Sequence, residues 1–168
     1  NKLWKNNGAG VFTDSGQTVG TGGTFDVELA DLDGDTDLDA FFANGSTSGD
    51  PNEVWLNDGL GNFTDSGQNL DDDYSFSVVL FLCDGDADLD AFVGNNTGQP
   101  NRLYLNNGAG VFTDSGQDLG IGGAISVAAS DLDGDTDLDL FLANINQPEQ
   151  AFWNDGACQF EDSGQLLG

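Results

Sequence analysis

A seventeen-residue phrase occurs four times in the chain: NKLWKNNGAGVFTDSGQ from Asn1, NEVWLNDGLGNFTDSGQ from Asn52, NRLYLNNGAGVFTDSGQ from Asn101 and EQAFWNDGACQFEDSGQ from Glu149. These starts set a period of about fifty residues, and a copy of that size buries its sheet faces only against its neighbours. Stability is therefore collective. A second phrase keeps the same frame: DLDGDTDLD at Asp31 to Asp39 and again at Asp131 to Asp139, and LCDGDADLD at Leu82 to Asp90. The step from the last Gln of the first phrase to the acidic phrase is constant, 17 to 31, 68 to 82 and 117 to 131. Length varies only downstream of the acidic phrase, in NGSTSGDP, NNTGQP and NINQP.

Within a copy the pattern predicts four short strands. TFDVELA (24–30), SFSVVLF (75–81) and AISVAAS (124–130) alternate at period two, so Phe25, Val27, Leu29 and their counterparts share a face. After the acidic phrase, LDAFFAN, LDAFVGN and LDLFLAN are apolar on both faces, as in a strand buried between layers. A third and a fourth strand flank NNGAG, NDGLG, NNGAG and NDGAC, whose Asn-Gly and Asp-Gly pairs supply the positive φ of a tight hairpin. No segment has a helical period of useful length. The predicted fold is all-β, part of a β-propeller built from four-stranded antiparallel blades, with 1–23 a half blade and 24–74, 75–123 and 124–168 whole ones. An open stack of sheets satisfies the same pattern. Three whole units fall short of the ~4 to 8 blades of a closed ring, so continuation of the chain or assembly of identical chains is expected to cover the open ends.

Composition narrows the partners. Thirty acids stand against Lys2, Lys5 and Arg102, a formal charge of -27 that repels nucleic acid and anionic membrane and favours cations. No stretch approaches the ~18 consecutive apolar residues of a membrane span, and there is no initiator Met or signal peptide, so the chain reads as a processed product or an excised piece. With no His, serine-histidine, cysteine-histidine and zinc-histidine chemistry are excluded. Cys83 and Cys158 have neither the count nor the spacing of a disulfide framework, and two free, partly buried thiols are expected.

Carboxylates at alternating positions with Gly at the fourth describe a loop that wraps one hard cation. In the first copy the expected side-chain ligands are Asp31, Asp33, Asp35 and Asp39, with the carbonyl of Asp37 and water completing six to eight oxygens. Calcium suits this crowded acid set better than magnesium, which keeps much of its water, and the lack of His and of paired Cys argues against zinc or copper. An EF-hand would need Glu at loop position twelve and flanking helices; that position holds Phe42, Val93 or Leu142, and the flanks are strands. Leu38, Leu89 and Leu138, at position eight, are expected to turn inward. In the middle copy Leu82 replaces the first acid, which predicts a weaker site, and Cys83 reads as a small buried hydrophobe. Asp71, Asp72 and Asp73 read as a solvated turn that could also lend an oxygen.

The run NRLYLNNGAGVFTDSGQDLG, followed by ISVAASDLDGDTDLDLFLAN, resembles FG-GAP/VCBS-type repeats, the calcium-binding blades related to the N-terminal propeller of integrin α-chains and to bacterial surface proteins. The resemblance covers essentially the whole chain. It implies that Asp31, Asp33, Asp35 and Asp39, and Asp131, Asp133, Asp135 and Asp139, are calcium ligands, with Asp37 and Asp137 contributing through the backbone. The middle loop carries over Asp84, Asp86, Asp88 and Asp90. Thr36, Ala87 and Thr136 stand where the family usually has Gly. The resemblance further implies about one calcium per acidic loop on one rim, with the connections Asn44 to Pro51, Asn95 to Pro100 and Asn144 to Pro148 on the other. Those connections are candidate binding loops or inert spacers. Asn44, Asn62 and Asn95 satisfy the glycosylation acceptor pattern.

The implied role is a non-catalytic, secreted or cell-surface module for adhesion or surface assembly, with glycans or surface proteins as partners. A lectin is one alternative, in which Trp4, Trp55, Tyr104 and Trp153 stack on sugars, although their regular recurrence favours packing. A structural subunit of an extracellular fibre or layer is another. An enzyme using paired carboxylates is the weakest reading, because the cation claims every clustered acid.

Overall fold

A computed structural model describes residues 1–45, 49–96, 98–120, 122–165 and 167, and every regular element among them is a β-strand. In chain order these are β1 (Lys2–Asn6), β2 (Phe12–Thr18), β3 (Thr24–Ala30), β4 (Asp39–Asn44), β5 (Glu53–Asn57), β6 (Phe63–Asp65) and β7 (Ser75–Phe81). They continue as β8 (Asp90–Asn95), β9 (Arg102–Asn106), β10 (Phe112–Asp114), β11 (Ala124–Ser130), β12 (Asp139–Asn144), β13 (Gln150–Asn154) and β14 (Phe160–Asp162). The sheets are antiparallel meanders of consecutive strands: β1-β2, then β3 to β6, β7 to β10 and β11 to β14. We call the three four-stranded sheets units 1, 2 and 3.

Each unit repeats one register. Its first strand, β3, β7 or β11, pairs with the second and carries an irregularity near its start, between Thr24 and Asp26, Ser75 and Ser77, or Ala124 and Ser126. The second strand is the buried one: every residue of β4 and of β8 is buried, as both-face apolar patterning requires. On the third strand Trp55 faces Ala40, Tyr104 faces Ala91 and Phe152 faces Leu140. The recurrent aromatic position in unit 3 is thus Phe152, and Trp153 lies one residue out of register with Trp55 and Tyr104, which corrects the sequence alignment of these rings. Tyr104 and Phe152 are buried, so they pack rather than present a stacking surface.

The cores lie between sheets. Leu32, Phe41, Val54, Val78, Val93, Tyr104 and Phe112 form one cluster from units 1 and 2. Phe81, Phe92, Leu103, Leu140, Leu142 and Phe152 form the next, from units 2 and 3. A smaller group, Val19, Ala40 and Phe42, joins β1 and β2 to unit 1. At roughly 1.5–3 kcal/mol for each large side chain taken out of water, these contacts dominate the stability of the stack.

Placement between neighbours also decides the loop leucines. Leu89 and Leu138 pack against the clusters as expected, but Leu38 is 55% exposed. Position eight packs backward, and behind unit 1 lie only two strands, which do not reach Leu38. Position two packs forward: Leu32 is 1% exposed against unit 2, whereas Leu132, in the last unit, is 45% exposed.

A polar clasp accompanies each apolar contact. Gln17, Gln68 and Gln117 donate from Nε2 to the carbonyls of Gly61, Gly110 and Cys158 in the next hairpin, at 3.2, 2.6 and 2.7 Å. The same three side chains accept from the N–H of Phe63, Phe112 and Phe160 at 3.0, 2.8 and 3.0 Å. Gln at the end of each of the first three repeated phrases is therefore a joint between sheets.

The cysteines differ from expectation: Cys83 and Cys158 form a disulfide, with Cα atoms 4.8 Å apart. Cys83 takes the place of Leu32, and Cys158 that of Gly110. Across the boundary between units 1 and 2 these two positions already touch, with Gly110 N–H donating to Leu32 O at 2.8 Å. The repeat itself brings together two thiols 75 residues apart.

Candidate metal centres

The acidic loops join the first strand of each unit to the second. Asp39 opens β4 and is fully buried; its two carboxylate oxygens accept from Leu32 N–H at 2.9 Å and Asn57 N–H at 2.8 Å. Asp31 closes the loop by accepting from Gly34 N–H at 2.8 Å and Thr36 N–H at 2.9 Å. That closure needs left-handed backbone at both donors, with φ of 80° at Gly34 and 78° at Thr36. Thr36 holds a conformation that glycine adopts without cost. One oxygen each from Asp31, Asp33 and Asp39 then lies within 4.8 Å of the others.

The third loop repeats the construction. Asp131 accepts from Gly134 and Thr136 at 2.7 and 3.2 Å, and Asp139 from Leu132 and Asn154 at 2.8 and 2.9 Å. Thr136 is again left-handed, φ 87°. Asp131, Asp133 and Asp139 converge as the first triad does. Asp35 and Asp135 instead accept from the N–H of Asp37 and Asp137, both at 2.9 Å. Asp137 lies over the hairpin: a Cβ on Gly156 would sit 2.6 Å from its Oδ2. The hairpin glycine is required by the loop as well as by its own turn, φ 77°.

Oxygens on opposite sides of a calcium ion, each at 2.3–2.6 Å, are ~5 Å apart, so each triad fits inside one calcium shell. Burial, and then the charge of Asp39, raises the Asp33 carboxyl above the usual range; burial does the same for Asp133. No basic side chain relieves either triad. Lys2 pairs with Asp14 at 2.6 Å, and Lys5 donates to Leu60 O at 3.1 Å. Arg102 meets Asp71, Asp73 and Asp114 at 2.8, 3.1 and 3.2 Å. This last cluster corrects the reading of Asp71 to Asp73 as a solvated turn, since Asp73 is buried beside the chain's single arginine.

The middle loop is built differently. Asp86 N–H and Asp88 N–H still bond Asp84 and Asp86, at 3.2 and 2.9 Å, so its second half is retained. Its first half is not: Leu82 offers no oxygen to close the turn and is 47% exposed, and Ala87 does not take the left-handed backbone of Thr36 and Thr136. Asp90 is fully buried and accepts from Asn106 N–H at 2.9 Å, while the Cys83 N–H acts on the carboxylate without making a full hydrogen bond to Oδ2. Burial pushes its carboxyl up to about 6. The side chains that converge here are Asp90, Cys83 and Cys158, not three aspartates.

At the opposite ends of the units, the variable connections have a fixed base. Asn44, Asn95 and Asn144 donate from Nδ2 to the carbonyls of Pro51, Pro100 and Pro148 at 2.8, 2.7 and 2.8 Å. Asn44 and Asn95 also accept from Thr24 and Ser75 hydroxyls, at 2.7 and 2.8 Å. Both are fully buried, so their amide nitrogens serve the fold and are closed to a glycan, contrary to the acceptor pattern. Asn62 is the acceptor on the surface, its Nδ2 bonded to Asp58 at 2.8 Å. Positions 46–48 and 97, within the candidate binding loops, lie outside the described residues.

Residues 83–142 match the family model of the FG-GAP-like repeat, a span from the middle acidic loop into β12. A comparison with curated proteins finds no match.

Proposed function

Starting from a chain that carries an FG-GAP-type repeat, we propose that it is a calcium-stabilised segment of a β-propeller, serving as a non-catalytic extracellular module for adhesion or surface assembly. The observation that carries this reading is the pair of convergent triads, Asp31, Asp33, Asp39 and Asp131, Asp133, Asp139, each at a strand-joining loop and each without a basic partner. A divalent ion at each loop neutralises acids that otherwise repel one another and holds the backbone that docks on the next unit. Calcium is preferred over magnesium because the loops offer many charged oxygens in a flexible shell. Meander sheets packed face to face in chain order, each with its core against the next, support the propeller reading over separate domains.

The disulfide supports a secreted or cell-surface setting, since such bonds persist in oxidising compartments. Partners, whether glycans or surface proteins, would meet the variable connections, whose Asn-to-Pro bases let length change without disturbing the strands. Burial of Tyr104 takes one ring from the lectin alternative, which then rests on exposed Trp4 and half-buried Trp55 and Trp153. Calorimetric titration with calcium, in millimolar magnesium, tests the reading. Saturable calcium binding supports it; heat of dilution only, or equal competition by magnesium, overturns it.

A further inference from the structure

Of the three acidic loops, the middle one departs from the others at two positions that touch across a unit boundary. Between units 1 and 2 the contact is Leu32 with Gly110: the leucine is buried, and its carbonyl receives Gly110 N–H at 2.8 Å and Asn106 Nδ2 at 2.9 Å. Between units 2 and 3 the equivalent residues are Cys83 and Cys158, joined through sulfur. Asn154 Nδ2 still donates to Cys83 O, at 3.1 Å. Cys158 also keeps the left-handed backbone of the glycine it replaces, φ 60°, a conformation that is strained in a non-glycine residue. The fold retains that strain at the position where the cross-link forms.

On the same loop the means of holding an ion is missing. Leu82 stands in place of the closing acid, the left-handed sixth position is lost at Ala87, and the Cys83 N–H, which still acts on the Asp90 carboxylate, makes no full hydrogen bond to Oδ2 of the kind that Leu32 and Leu132 make to Asp39 and Asp139. Both halves of the change fall at one boundary. We infer that the Cys83–Cys158 disulfide replaces a bound cation at the joint between units 2 and 3, and that loop 82–90 takes no calcium. This rests on the calcium reading of loops 31–39 and 131–139. The stack then has joints of two kinds, one governed by calcium and one by a covalent bond, and removing calcium loosens the first while the second holds.

Native mass spectrometry in calcium counts the ions. Two per chain are expected, and three would overturn the inference. Cys83→Leu with Cys158→Gly restores the pair found between units 1 and 2; adding Leu82→Asp to it should raise the count to three, and a folded triple variant that stays at two would count against the reading. Should that variant not fold, hydrogen exchange on the unaltered chain decides. In EDTA, loops 31–39 and 131–139 should lose protection by about tenfold or more, while 82–90 changes by less than about twofold. Parallel loss in all three loops refutes the inference. If no loop binds calcium, the proposed function fails by itself, and Cys83→Ser then reads the tether separately. Exchange rising about tenfold at 82–90 and 155–159 sustains it, and unchanged exchange there removes it.

Discussion

Gln68→Ala removes a joint, together with one bond inside its own turn, from Nε2 to Ser66 Oγ at 3.1 Å. The wild-type side chain donates to Gly110 O at 2.6 Å and accepts from Phe112 N–H at 2.8 Å, both in unit 2. Two part-buried hydrogen bonds at about 1 kcal/mol each, plus a share of the cost of leaving the Phe112 amide unpaired, give a loss of about 2–3 kcal/mol. In a chain of this size that corresponds to a fall in Tm of about 5–10 °C. The assay is urea unfolding in saturating calcium, followed by fluorescence, with Gln165→Ala as control. Gln165 holds the same place in the last repeat, is exposed, and has no side-chain bond to a following hairpin among the described residues, so its variant should lie within about 0.5 kcal/mol of wild type. Gln68→Glu should not rescue, because it keeps the acceptor for Phe112 but sets a carboxylate against the Gly110 carbonyl. A Gln68→Ala variant no less stable than Gln165→Ala would refute the idea that these glutamines clasp successive sheets.

Asp131→Asn removes a charge from a triad and leaves one acceptor oxygen for the two amides, of Gly134 and Thr136, on which the carboxylate closes, so it should lower Tm by several degrees in calcium and by less in EDTA; Asp84→Asn, in the altered loop, should cost less in calcium, and the reverse order would contradict the assignment. Asn95→Ala takes away bonds to Pro100 O and Ser75 Oγ in a fully buried site and should cost about 2–4 kcal/mol in urea unfolding. Expressed through a glycosylating secretory pathway, the folded chain should show no glycan at Asn44 or Asn95 by peptide mass mapping. Gly156→Ala places a methyl 2.6 Å from Asp137 Oδ2 on a left-handed residue, and should destabilise by at least about 1 kcal/mol in the same unfolding assay.

The strands were legible because their signals are local. Alternation in 24–30, both-face apolarity in Asp39–Asn44 and the Asn-Gly and Asp-Gly pairs each act within a few residues, and the described strands fall on those segments. The acidic loops were legible for the same reason, since Asp31, Asp33 and Asp39 sit on one tight turn. What escaped lies between units. Gln68 recurs visibly in DSGQ, but its partners, Gly110 and Phe112, are more than forty residues away. The constant Asn and Pro at the ends of the variable connections were a signal for their shared base, yet Asn44 reads equally well as a glycan acceptor until its burial is known. Leu38 shows the limit of pattern reading: identical residues at identical loop positions are exposed or partly buried according to what lies behind them. The disulfide joins both difficulties, because neither cysteine has a neighbour in sequence and only the Leu32 to Gly110 contact reveals that their positions meet.

The central claim, that calcium braces this stack of sheets, is tested most directly by thermal unfolding of the same preparation in saturating calcium and in excess EDTA. With free calcium ~1,000 times the dissociation constant, each occupied loop contributes about 4 kcal/mol, so two loops contribute about 8 kcal/mol and should raise Tm by on the order of 15 °C or more. A melt that is unchanged by EDTA would contradict it.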